Sequence, residues 1–351
     1  MKTVRLGCAL LLLLATAAAK SEQTVDPQKA VTVHSGDLVF SIFPKSFQKN
    51  PVVDFTVITE MTAEGRKVAA PSPGNPVYYA TVSGTFLQLG QGASAGEKSP
   101  TMAELEGQLR SALAANGYLP TTSPQQSSSL IIMFYWGSHT PDFHDAKDAA
   151  ADSAAAAPAT GSDGITPFSG AEFAEDLLPI VLSDLTKRNE LIARASLIGG
   201  LKFAYKLNSV LDDEARLIQV DQDASRAAAL VGNPNPDFQR IVSPFHRYLA
   251  SDPKIEMLVE EAFSSCYFVV ASAYDCAALA KGESRLLWRT KMTVNALGIS
   301  MREALPTLIA TSAPYFGRDM KEAEVVSKRV VREGRVEIGT PTVVEEPAAK
   351  P

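Results

Sequence analysis

The sequence predicts an α/β (α+β) protein: a mixed β-sheet with a βαβ unit and a C-terminal hairpin, helices packed on it, and an α-helical insert between its halves. Three observations predict it. Residues 77–87 carry apolar side chains on both strand parities, residues 130–136 are an apolar run rich in branched and aromatic side chains and too short for a helix, and a capped helical pattern lies between them. Residues 171–210 repeat apolar side chains at helical spacing. Residues 267–280 and 285–295 then read as two strands around Lys281-Gly282-Glu283-Ser284.

The chain begins with features of an export signal over 1–19. Lys2 and Arg5 precede the uncharged stretch 6–19, which closes on Ala17-Ala18-Ala19, an A-x-A cleavage pattern. As a helix this stretch reaches about 21 Å, short of the ~30 Å hydrocarbon core, which disfavours a permanent anchor. Cys8 precedes the leucine run, whereas a lipoprotein cysteine follows it, so lipidation is not expected. The later stretches without Asp, Glu, Lys or Arg, 68–96 and 111–141, are interrupted by prolines, glycines and many polar side chains, so no further span is expected. The expected location is extracytoplasmic, periplasmic or secreted.

Residues 20–75 form an extended N-terminal region with strand candidates at 31–33, 38–40 and 52–58, broken at Pro71, Pro73, Gly74 and Pro76. The first half of the core covers 76–138. Its strand 77–87 carries apolar side chains on both parities and is expected to be buried on both sides. After a glycine-rich connection from Gly90 to Gly96, Ser99-Pro100 supplies a cap and first helical position, and Thr101 with Glu104 a capping box. Leu105, Leu109 and Leu113 mark the buried face, and Asn116-Gly117 ends the helix. The run 130–136 is expected to be a central strand covered on both faces.

Residues 139–170 read as an Ala-rich flexible loop and 171–250 as the helical insert, divided or kinked at Pro179. Gly199-Gly200, with Ala195 and Ser196, points to close helix packing, and Lys187, Arg188, Arg194 and Lys202 place that packing in water. The second half of the core covers 251–320. Asp252-Pro253 starts a helix with Ile255, Leu258, Val259 and Ala262 inward, and Ser300 with Glu303 is a second capping box. On the strand 285–295, Leu286, Trp288, Met292 and Val294 share one face, leaving Arg285, Arg289 and Lys291 on a wet face open to an acidic partner or lipid headgroups. Residues 321–351 hold edge strands at 325–331 and 336–338, then a tail. Cys266 and Cys276 on one strand would stand roughly 33 Å apart, beyond the ~7 Å limit for a bridge, so both are expected to be free.

Leu286-Leu287-Trp288-Arg289-Thr290, Phe43-Pro44-Lys45 and Trp136-Gly137-Ser138-His139 carry a resemblance. In these phrases the chain resembles uncharacterised secreted or envelope α/β proteins of bacteria, of unknown function. The resemblance brings no activity with it.

The 351 residues carry 39 acidic and 33 basic side chains, a net charge of −6, so no nucleic-acid footprint is expected. Three cysteines exclude a disulfide scaffold. The sequence holds no G-x-S-x-G, H-E-x-x-H or P-loop motif and no zinc-spaced cysteine set. Chemistry concentrates at Ser138, His139, Asp142, His144 and Asp145, directly after the central strand, where open α/β sheets bind ligands. Two imidazoles and two carboxylates suit a divalent metal, the one cofactor the pattern suggests, and a serine beside a histidine suits activation. Against this, Pro141 interrupts the stretch and the spacing of His139 and His144 fixes no geometry. The expected function is a non-enzymatic envelope or secreted binding or assembly protein, its partner a protein or envelope component. The alternatives are a metal-assisted hydrolase using 138–145 and a peripheral membrane protein attached through 171–250.

Overall fold

A computed structural model describes residues 45–90, 99–123, 126–142, 170–230 and 242–332. The apolar runs become strands β1 (Val52–Met61), β2 (Val77–Gly90), β3 (Tyr118–Pro120), β4 (Leu130–Thr140), β5 (Cys266–Asp275), β6 (Leu286–Asn295) and β7 (Glu324–Arg329). They form one sheet in the order β3-β2-β4-β5-β6-β1-β7. β2 runs parallel to β3 and β4, and the other neighbours are antiparallel, so the protein is of the α/β class with a mixed sheet. The strands before and after the alanine-rich middle share this sheet, paired from Leu130↔Asp275 to His139↔Cys266.

Strand alternation sends side chains to opposite faces, and each face has its own helical layer. On one face α1 (Met102–Ala114) and the late helix Met301–Ser312 cover Phe55, Ile132, Phe134, Trp136 and Met292. Both helices start in capping boxes, at Thr101 with Glu104 and at Ser300 with Glu303. Thr101, rather than Ser99, is the first cap, because its side chain accepts from the Glu104 N–H. On the other face lie α2 (Gly170–Ser183), α3 (Leu185–Leu230), α4 (Pro244–Leu249) and α5 (Pro253–Phe263). Leu191, Ile198, Leu207, Phe245, Val259 and Phe263 are buried there. Each such side chain contributes about 1.5–3 kcal/mol on burial. A one-turn helix, α6 (Cys276–Leu279), interrupts the expected hairpin and is capped by Asp275. The Met301–Ser312 helix is α7.

Three expectations are corrected. Pro179 lies inside α2, and the chain divides further on at Asp184, whose carboxylate accepts the N–H groups of Thr186 and Lys187. β2 and β4 are not covered on both faces. The helices of the second layer leave Val82 and Met133 exposed and Ile131 and Tyr135 half-buried. The third correction is the wet face of β6. Lys291 is 7% exposed, pairs with Glu60 at 2.7 Å and lies under α3. Arg289 is half-buried and donates to Ser272 Oγ, and the exposed Arg285 pairs with Glu283 and Asp275. All three partner-surface candidates are thus engaged within the chain, Lys291 because α3 crosses this face of β6 and the two arginines by neighbours on β5 and the β5–β6 connection.

The Lys291–Glu60 pair also explains the glycines of α3. Gly200 has φ +81°, in the left-handed region, and breaks the helical ladder as α3 crosses β1. The break frees the Ser196 carbonyl, which accepts from Lys291 Nζ at 2.8 Å. It also frees the Leu201 N–H, which donates to Glu60 Oε1 at 2.8 Å. One ion pair, its lysine buried and its glutamate half-buried, therefore satisfies both sides of the kink.

Cys266 is buried and Cys276 half-buried, and both are free, as expected. Burial pushes the Cys266 thiol up to about 11, so it is an unreactive packing group. Among the described residues, no helix is long and apolar enough to cross a membrane. The signal segment, the strand candidates 31–33, 38–40 and 336–338, and most of the alanine-rich loop lie outside the described residues.

Candidate functional site

β4 continues through Thr140, so Ser138 and His139 belong to the strand and not to the loop expected after it. Alternation then separates them. Ser138 is buried on the side of Phe134 and Trp136, whereas His139 faces α3 on the other side. A serine–histidine dyad is therefore ruled out by the pleat. His139 Nε2 lies 3.6 Å from Glu190 Oε1, which also accepts the Asp142 N–H at 3.3 Å. Its Nδ1 is buried without a hydrogen-bond partner among the described residues. Asp142 is exposed beyond the strand. His144 and Asp145 lie outside the described residues. Among the described residues, no group of three or more His, Cys, Asp or Glu side chains is placed to hold a metal ion.

A concavity lies at the other end of the sheet, where β1 finishes and β2, β4 and β6 begin. Met61, Val77, Leu130 and Leu287 bring their strands to a cavity of about 410 Å³. Its floor is Trp288, 3% exposed. Tyr118 packs against Trp288 with ring centroids 5.5 Å apart at 58°, and Phe316 supports it from 6.1 Å. Burial pushes the Tyr118 phenol up to about 12, so it stays neutral at physiological pH. Gly317 has φ +67° and abuts the Tyr118 hydroxyl so closely that no Cβ could be accommodated.

The rim carries the polar groups. Arg66 grips Asp319 through Nε at 2.7 Å and Nη2 at 3.3 Å, and Asp319 Oδ1 also accepts the Met61 N–H. The hydrogen bond from Arg66 is the first reason that the Asp319 carboxyl lies below the usual range. Thr62 ties this rim to β6 by donating its N–H to the Leu287 carbonyl at 2.9 Å and its hydroxyl to the Leu286 carbonyl at 2.7 Å. Arg318 is exposed beside the pair, and no carboxylate partner is seen for it among the described residues.

Sequence reasoning placed Trp288 on an inward face and a break in the chain at 71–76, but did not bring them together. The available signal was an aromatic residue at a strand start combined with a Pro- and Gly-rich segment leading into a parallel strand. Such segments fold over strand ends. No protein-family model matches this chain, and no curated protein matches it either.

Proposed function

We propose that the protein works outside the cytoplasm, without catalysing a reaction, as a binding protein for a small, mainly apolar molecule seated on Trp288. The observation that carries this reading is the cavity itself. Its ~410 Å³ fall in the range of about 300–1,000 Å³ usual for small-molecule sites. An apolar aromatic floor with a few polar groups at the rim is the composition that holds such ligands by burial and orients them by charge. Arg318 favours a ligand with an acidic or strongly accepting group beside its apolar body. The basic start, apolar stretch and alanine triplet of residues 1–19 support the location.

The test uses anilinonaphthalene sulfonate, an aromatic body with one anionic group. The sequence has two tryptophans, Trp136 and Trp288, so energy transfer to the probe reports its position. Saturable binding of one probe per chain is expected. Trp288→Phe should remove most of the transfer while leaving the fold intact, and Arg318→Gln should weaken binding about three- to tenfold, the loss of one charged hydrogen bond. Binding and transfer unchanged in both variants would exclude this cavity.

A further inference from the structure

A second concavity, of about 280 Å³, lies in the helical layer between α3, α5 and the segment leading into β7. Its floor is apolar, formed by Phe203, Tyr248, Ile255 and Leu258. Around its mouth stand Lys202 and Lys206, one turn apart on α3, Lys254 on α5 and Lys321 before β7. Two carboxylates share this lining. Glu322 pairs with Lys202 at 2.8 Å, and Asp252 is occupied as the cap of α5, accepting the Lys254 N–H at 2.8 Å. Hydrogen bonding from Lys202, then the charges of Lys202 and Lys254, hold the Glu322 carboxyl below its usual range.

Four ammonium groups facing one opening, against two carboxylates, leave a local positive excess on a chain whose net charge is −6. Like charges gathered in this way repel one another, and an anion at the mouth relieves that repulsion. Lysine stems also extend the apolar wall while their heads stay in water. Floor and rim therefore ask for one ligand with two ends.

We infer that this groove binds a single-chain anionic amphiphile, its acyl or alkyl chain on Phe203 and Leu258 and its acidic head among the lysines. The site is separate from the Trp288 cavity and does not depend on it. A carboxylate head and a phosphate head share the required chemistry, and the concave floor fits one monomeric chain better than a flat bilayer surface.

Titration calorimetry on the whole protein tests this with decanoate and decyl phosphate below their micelle concentrations and with uncharged decyl maltoside as control. The expected result is one anionic amphiphile bound per chain, with affinity falling as salt rises. The tighter of the two heads identifies the source. Each methylene added from hexanoate to decanoate should tighten binding about two- to fourfold until the floor is filled. The surface triple variant Lys206→Gln/Lys254→Gln/Lys321→Gln should bind at least tenfold more weakly, and Trp288→Phe should bind as the parent does. The inference is overturned by equal affinity for decyl maltoside, by unchanged affinity in the triple variant, or by loss of binding in Trp288→Phe. It is also overturned if no amphiphile binds one-to-one and lysine-dependent co-sedimentation with phosphatidylglycerol vesicles is the only effect seen.

Discussion

Arg194 and Glu261 meet at the junction of α3, α5 and β5, and both are withdrawn from water. The Arg194 guanidinium donates to the carbonyls of Glu261, Ala262, Ser264 and His139. The carbonyls of Glu261 and Ala262 close the last turn of α5, where the helix dipole favours a cation. The sequence reading, which took Arg194 as a sign of water, is thereby corrected. Glu261 is handled differently. Burial, opposed by a hydrogen bond from Thr56 and the charge of Arg194, pushes its carboxyl up to about 7. An unfolded glutamate titrates near about 4.3. Between those values the native chain holds a proton that the unfolded chain has released, so stability falls as pH rises through the window and levels off above it. Glu261→Gln retains the acceptor for Thr56 without the ionisation. The variant should therefore gain on the parent by up to roughly 3 kcal/mol between pH 4.5 and pH 8, read from urea melts at both ends. Parallel pH profiles would show that Glu261 ionises at no cost.

At the level of elements, the kink in α3 is the feature most exposed to substitution. Gly200→Ala forces a left-handed backbone on a residue with a side chain and drives its Cβ to 2.5 Å from Ile58 Cδ1. A destabilisation of about 2–3 kcal/mol is expected, measured as a drop in the urea midpoint. A neutral substitution would mean that α3 can cross β1 unbent. What was legible in the sequence at this scale was local. The capping boxes at Thr101 and Ser300 could be read because cap and partner lie within one turn. Glycine at 117 could be read as a helix stop because its φ of +83° suits few other residues. The solvation of each strand face was not legible. Lys291 and Met133 have their exposures exchanged relative to simple polarity because α3 lies over β6 and meets β4 only near its His139 end, leaving Met133 uncovered. That depends on how long helices cross the sheet, which no short window records. Ser138 and His139 were misplaced for a related reason: polar residues at a strand end look like loop until the pairing partner, here Tyr267 and Cys266, is known. The cavity on Trp288 was illegible because it joins segments from 61 to 319.

The described residues form a sheet with two helical layers, the α3 layer tied to it by the bonds of Lys291 and Glu60 to the α3 backbone and by the Arg194 grip. Both tryptophans lie in the core under α1 and α7, while α3, the longest helix among the described residues, belongs to the opposite layer. Tryptophan fluorescence thus follows one layer, and far-UV circular dichroism is weighted to the other. With both layers anchored to the same strands, the two signals should fall in a single coincident transition on urea unfolding. Loss of dichroism ahead of fluorescence would show a helical layer that melts by itself. The position of β1 has a further consequence, for the time course of folding. Although it precedes the other described strands in the chain, it lies between β6 and β7, and the paired hydroxyls of Thr59 and Thr290 are 231 residues apart along the backbone. Contacts of such separation are late and slow to form. A nascent chain therefore emerges from the ribosome with its first strand waiting, and the sheet closes only after Arg329 has been made.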